Sequence, residues 1–198
     1  MMRNLTPLGE IHRSVGHRKI ARGEGRSAVL RRHYNVPIED VWRACTEADR
    51  VSRWLIEPEG DLREGGTYVL PEHAHGRILR CDAPHTLTLS WIYEDYPADE
   101  VELRLSPADG GGTMLELEHT TVEEPAALAE SLAQVGVGWE NGTDTLERYL
   151  RGDLPDAPRQ AKQEPSEDET RRITESDLLW RKTIAAALGT GEVAAEES

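Results

Sequence analysis

Thr86-Leu87-Thr88-Leu89-Ser90-Trp91-Ile92-Tyr93 is the stretch that decides the fold. Leu87, Leu89, Trp91 and Tyr93 fall on alternate positions, with Thr86, Thr88 and Ser90 between them. Successive side chains of a strand point to opposite faces, so this order gives one apolar face and one wet face. The alternation returns twice downstream. Val101, Leu103 and Leu105 are separated by Glu102 and Arg104, and Leu115, Leu117 and His119 by Glu116 and Glu118. Asp82-Ala83-Pro84-His85 and the loop at 108–112 supply turns at hairpin spacing. Together these segments predict an antiparallel meander with one face in water and the other on a core.

Upstream, residues 61–63, the turn Glu64-Gly65-Gly66, residues 67–70 and residues 77–81 extend the meander. Before them Ile38, Val41, Trp42 and Cys45 recur at helical spacing. Pro37 has a fixed φ suited to a helix start, and Glu39 and Asp40 suit the positive end of the helix dipole. Thr46-Glu47-Ala48-Asp49 resembles a capping box, with Thr46 as N-cap of a second short helix through Val51, Trp54 and Leu55. Residues 27–34 read as the first strand.

Downstream, Leu128, Leu132, Val135, Trp139, Leu146 and Leu150 mark one face of a long helix opened by Pro125. Gly136, Gly138 and Gly142 interrupt it, each at about 1 kcal/mol against alanine. They either let the helix lie close to the sheet or break it near Val137; one helix with a weak point is the reading adopted. A large single sheet curls and needs its apolar face covered, and only this helix is long enough to cover it. The expected architecture is α+β: a curved antiparallel sheet of about seven strands wrapped on a long C-terminal helix, with two short helices after the first strand.

Residues 1–25 are polar, lack a sustained period and read as an N-terminal arm with room for a strand near its end. The folded domain is assigned to 26–152, and 153–165, rich in Pro, Asp, Gln and Ala, reads as a linker. Residues 166–198 form an acidic tail. Its Ser166-Glu167-Asp168-Glu169 is a second capping-box signal, and a helix is expected from there towards Leu188, stopped by Gly189. Ile173, Trp180, Ile184 and Leu188 share a face that Asp177 interrupts, which leaves open a break near Ser176. A lone amphipathic helix is marginal in water, so Trp180 needs a surface: the domain itself, a second copy or a protein partner. Monomer and homodimer both stay open. Residues 191–198 are expected to be disordered.

A net charge of −14 opposes binding to nucleic acid and to anionic membranes. Two cysteines are too few for a disulfide framework, and neither a leader-like segment nor a run of about 18 apolar residues occurs, so the cytoplasm is the expected location. His73, His75, Cys81 and His85 carry donor types that zinc accepts. They fall in or beside turns, without a CxxC or HExxH spacing, and no metal is expected. No cofactor is expected either, because there is no dinucleotide or phosphate loop; a nucleophile elbow is also missing.

An ordered set of fragments resembles the SRPBCC (START-related, helix-grip) superfamily, and within it the branch named after the activator of the ninety-kilodalton heat-shock protein ATPase. The fragments are Val41-Trp42-Arg43-Ala44 with Thr46 and Trp54, then Asp61-Leu62 with Gly65-Gly66-Thr67-Tyr68, then Gly76-Arg77-Ile78. Asp82-Ala83-Pro84, Leu87 through Trp91, Gly112-Thr113, Leu115 through Thr120, and Gly138-Trp139-Glu140 with Leu146 and Leu150 complete the set. Leu55 stands where the branch often has a second aromatic, near the cavity mouth. The arm and the tail lie outside the resemblance.

The resemblance implies an apolar cavity between sheet and helix. Alternation assigns Leu89, Trp91, Tyr93, Leu103, Leu117 and His119 to its walls, the helix adds Leu132, Val135 and Trp139, and Trp54 and Tyr68 complete the candidate set. His119 reads either as a group that orients a ligand or moves a proton, or as a structural imidazole satisfied by its neighbours. Tyr68 and Tyr93 read either as phenol donors to a ligand or as packing. The expected function is binding of a small hydrophobic or amphipathic molecule, with no intrinsic chemistry. Two alternatives stand beside it: a cyclase- or hydrolase-like enzyme on an aromatic or polyketide-like substrate, and a chaperone-linked module that engages a protein through the tail helix.

Overall fold

The computed structural model describes residues 9–159 and 165–190. In chain order the elements are β1 (Ile11–Ile20), β2 (Gly23–Tyr34), α1 (Ile38–Thr46), α2 (Ala48–Trp54), β3 (Glu59–Gly60), β4 (Thr67–Leu70), β5 (Ala74–Asp82), β6 (Thr86–Trp91), β7 (Asp99–Pro107), β8 (Thr113–Thr121), α3 (Pro125–Leu150) and α4 (Glu167–Leu188). The sheet has 8 strands in the order β1-β2-β8-β7-β6-β5-β4-β3, and every pairing is antiparallel. The predicted helix-grip architecture is present, with a sheet one strand larger than expected.

The register explains the two faces. Leu30 pairs with Leu117, Leu103 with Leu117 and with Leu87, and Val101 with His119 and with Leu89. Directly paired residues share a face, so these side chains form one apolar layer. On the other face Arg104 reaches Glu102, Glu116 and Glu118, Arg31 reaches Glu116, and Arg18 reaches Glu100 and Glu102. The meander bends at β5, where Leu79 is an extra residue between the pairs Ile78–Leu89 and Arg80–Thr88. Gly76 permits the close approach there: a Cβ on it would lie 1.9 Å from the Ser90 carbonyl oxygen.

The long helix α3 is continuous and packs across β2 and β8. Leu132, Ala133 and Leu146 are fully buried in that contact layer. The glycines do not break it. Arg32 of β2, with no side-chain exposure, forms ion pairs beneath the helix with Asp144 and Glu147. Burial raises the Asp144 carboxyl from its ordinary value, although the Arg32 guanidinium works against the shift.

Four details differ from the sequence reading. The arm contributes a ten-residue edge strand, β1. Its signal is weak because Arg13 and His17 share a parity with Ile11 and Val15, and Arg13 is used for an ion pair with Glu140. Thr46 is not the N-cap of α2: its Oγ1 donates to the Trp42 carbonyl within α1 at 2.8 Å, and extended Glu47 occupies the cap without a side-chain bond. The tail helix α4 runs unbroken through Ser176, because Asp177 turns aside to pair with Arg181 one turn on. Strand β6 stops at Trp91, and Tyr93, two residues beyond, is 49% exposed instead of lying on the inner face.

The helix α4 begins with the predicted capping box between Ser166 and Glu169 and ends at Gly189, whose φ is 69°. It docks on α3 and β1. Trp180 is fully buried over Gly136, and its Nε1 donates to Glu140 Oε2 at 2.9 Å. Of the three surfaces that Trp180 could have used, this is the domain itself. The predicted disorder of 191–198 lies outside the described residues.

Candidate functional site

Two cavities lie on the concave side of the sheet. The outer one, about 850 Å³, opens between α3, the end of α2 and the loops after β4 and β6. The inner one, about 130 Å³, sits deeper between sheet and helix, walled by apolar residues of β4 to β8 and α1. Trp54, Leu55, Trp91 and Trp139 line both and therefore form the wall between them.

The tryptophans of that wall are held by specific contacts. Trp54 Nε1 donates to the Ala44 carbonyl at 2.8 Å, which ties α2 to α1. The Trp91 ring meets Trp139 edge-on at 5.0 Å and His73 at 5.6 Å. Trp139 Nε1 donates to His119 Nδ1 at 2.9 Å. That nitrogen must accept, so the proton sits on Nε2, which donates to Asp99 Oδ2 at 3.1 Å. Asp99 also accepts from Arg22 Nη1 at 2.9 Å, and Arg22 Nη2 donates to the Val122 carbonyl. The result is a relay from Arg22 through Asp99 and His119 to Trp139. His119 is only 2% exposed and both of its ring nitrogens are engaged.

The candidate residues divide between the two cavities. Trp54, Trp91 and Trp139 line both, His119, Val135 and Tyr93 line the outer one, and Tyr68, Leu89, Leu103 and Leu117 line the inner one. Leu132 lines neither. It is fully buried, because α3 packs on the sheet along one side and on α4 along another, and only part of its apolar stripe is left for a cavity. The Tyr68 hydroxyl donates to the Ser90 carbonyl at 2.9 Å, and burial raises its pKa.

Several lining residues were not foreseen. Asp99 lies opposite Trp91 in the β6–β7 register, and its parity with Val101 and Leu103 was the signal that would have found it. Tyr96 stacks on Tyr93 at 6.3 Å, beyond the end of β6, where alternation carries no information. His73 lies in the turn after β4, and partial burial lowers its imidazole below the ordinary value. Ser131, Gln134 and Asn141 give the α3 side polar groups, and Arg159 donates to Thr145 Oγ1 at 2.8 Å beside Trp54. The non-glycine residues with left-handed backbone among those described are Glu72 and Glu94, one in each loop at the mouth.

Burial pushes the Cys45 thiol up to about 12, and burial with the nearby Glu64 and Asp82 raises that of Cys81, which disfavours the thiolate at both. Among the described residues no group of His, Cys, Asp or Glu side chains gathers to hold a metal ion, and no helix is long and apolar enough to cross a membrane.

A meander wrapped on a C-terminal helix, with a cavity between them, defines a helix-grip protein of the SRPBCC type. More narrowly, residues 35–151 match the family described as Activator of Hsp90 ATPase homolog 1-like protein, and the chain belongs to that family. The chain is also similar, over a longer stretch, to CalU16 from Micromonospora echinospora. The crystal structure of that protein is 44% identical, with 88% of this chain and 98% of that chain covered and a TM-score of 0.76. The solution structure gives 43%, 92%, 100% and 0.79. The shared region thus reaches beyond the 35–151 match. DynU16, described as a protein of the dynemicin biosynthetic locus, shares the fold at 18% identity and a TM-score of 0.55, with 66% of this chain and 49% of that chain covered. No curated protein matches the chain.

Proposed function

We propose that this protein binds a small amphipathic molecule with an aromatic body in the outer cavity. The observation that carries this reading is a space of about 850 Å³ walled by the rings of Trp54, Trp91, Trp139, Tyr93 and Tyr96. Ligand sites of about 300–1,000 Å³ with mostly apolar walls and few polar groups take molecules of that kind. Flat rings in the wall favour a flat ligand by edge-to-face and offset contacts. Ser131, Gln134 and Asn141 on one side and Arg159 at the α2 end supply groups for its polar part.

Binding is favoured over catalysis because His119 has no free nitrogen: one accepts from Trp139 and the other donates to Asp99. Among the described residues, the large apolar side chains that the tail helix leaves exposed are Leu178 and Leu179, since Trp180 and Ile184 are buried within the chain. The reading places the protein in the cytoplasm, where its two free cysteines stay reduced.

The test is thermal unfolding of the protein against naphthols, flavonoids, aromatic polyketides and fatty acids, repeated on Gly138→Trp. A Cβ on Gly138 meets nothing within 4 Å and the residue lines the cavity, so a large side chain there starts into open space and takes up ligand volume. An aromatic ligand at 100 times its Kd should stabilise the natural protein by about 2.7 kcal/mol and the variant hardly at all. Equal stabilisation of both forms, or none by any compound, would overturn the reading.

A further inference from the structure

Resting on that reading, we propose that the Asp99–His119–Trp139 relay is a latch that fixes how deep a ligand penetrates. With the latch made, the ligand stops in the outer cavity. With it broken, an aliphatic arm of the ligand passes the tryptophan wall and fills the inner one.

The wall is shared by the two cavities, and Trp139 is its member on α3. Turning that indole aside would strip His119 Nδ1 of its donor at a site only 2% exposed. A buried acceptor left without a partner is costly, so the hydrogen bond resists opening. The imidazole cannot follow the indole. Its other nitrogen is tied to Asp99, which Arg22 holds in turn, and its strand is clamped between Ala28 on β2 and Val101 on β7.

The helix leaves space beside the indole on the cavity side: a Cβ on Gly138 would meet nothing within 4 Å, and one on Gly142 would meet only the Trp54 ring, at 3.9 Å. Beyond the wall the inner cavity is lined mostly by apolar side chains; its hydroxyls are those of Thr46, Thr143 and Tyr68, the last already donating to the Ser90 carbonyl, so it accepts an alkyl arm and not a polar head. His119 is therefore a positioning residue for the wall.

The experiment is titration of 2-naphthol and its 6-alkyl derivatives, methyl to pentyl, into the natural protein and into His119→Phe. Phenylalanine keeps a ring in the apolar layer and offers Trp139 no acceptor. In the natural protein, affinity should stay nearly flat along the series. In His119→Phe, it should rise by about fourfold per methylene until the inner cavity is full. Adding Leu103→Phe, which fills that cavity, should flatten the rise and leave 2-naphthol itself unaffected. Asp99→Ala, which frees the imidazole to turn, should give a rise in the same direction if His119→Phe does not fold. A purely structural His119 would lower all affinities together. The same slope in natural and variant proteins overturns the latch while leaving the cavity reading intact. Failure of every naphthol to bind either form overturns both.

Discussion

Gly136 and Gly138 stand two residues apart on α3, and the structure predicts opposite outcomes for the same substitution. A Cβ on Gly136 would lie 2.5 Å from the Trp180 ring, while one on Gly138 meets nothing within 4 Å. Gly138→Ala should stabilise the protein by about 1 kcal/mol through helix propensity alone. Gly136→Ala should destabilise it by about 1–3 kcal/mol, because the indole must move out of a packed site. Urea denaturation of the two variants checks both signs. The sequence marked these glycines as interruptions and could not tell them apart, since the difference is made by a residue some forty positions away. His119 shows the same boundary. Alternation places it on the inner face, but its tautomer and its latch are settled by Trp139 and Asp99, each twenty residues distant.

Among the elements, α4 was legible in its start and stop and illegible in its place. The Ser166–Glu169 capping box and the left-handed Gly189 are local chemistry, readable from residue types. The docking of the helix on α3 and β1 depends on Glu140, which takes Arg13 from one side and Trp180 from the other. Trp180→Ala should therefore cost about 3–5 kcal/mol, the range for a fully buried large aromatic, seen as a lower denaturation midpoint with one transition. Two separate transitions would mean that α4 unfolds independently of the sheet. Strand β1 escaped a firm reading for a related reason: a half-covered edge strand with an arginine facing inward lacks the period that marks the central strands.

For the whole molecule, the outer face of the sheet contributes to the response to acid through Glu116. Burial works against the charge on Glu116, but hydrogen bonds and attraction from Arg104 and Arg31 hold its carboxyl below the ordinary value of 4.5. A carboxyl depressed in the folded state contributes stability that is complete above the unfolded value and is lost as pH falls through the lower folded one. Stability should thus fall on acidification below about pH 4.5, and Glu116→Gln should fall less steeply over the same range, as read by denaturation at fixed pH values. An unchanged pH profile in the variant would show that other carboxyls govern the loss. The net charge of −14 could be counted from the sequence, whereas the interleaving of Arg18, Arg31 and Arg104 with four glutamates needed the register.

The wall between the two cavities has an optical consequence. Three of the five tryptophans stand in it, and all three border the outer space. Indole emission shifts in colour and intensity with the polarity around the ring, so the protein carries its own dye at the point of entry. The other two, Trp42 on α1 and Trp180 on α4, are buried away from both cavities and contribute a steady background. A molecule that reaches the wall should change the emission spectrum without any label, and the way Trp91→Phe and Trp139→Phe each diminish that change would show which of the two rings it touches.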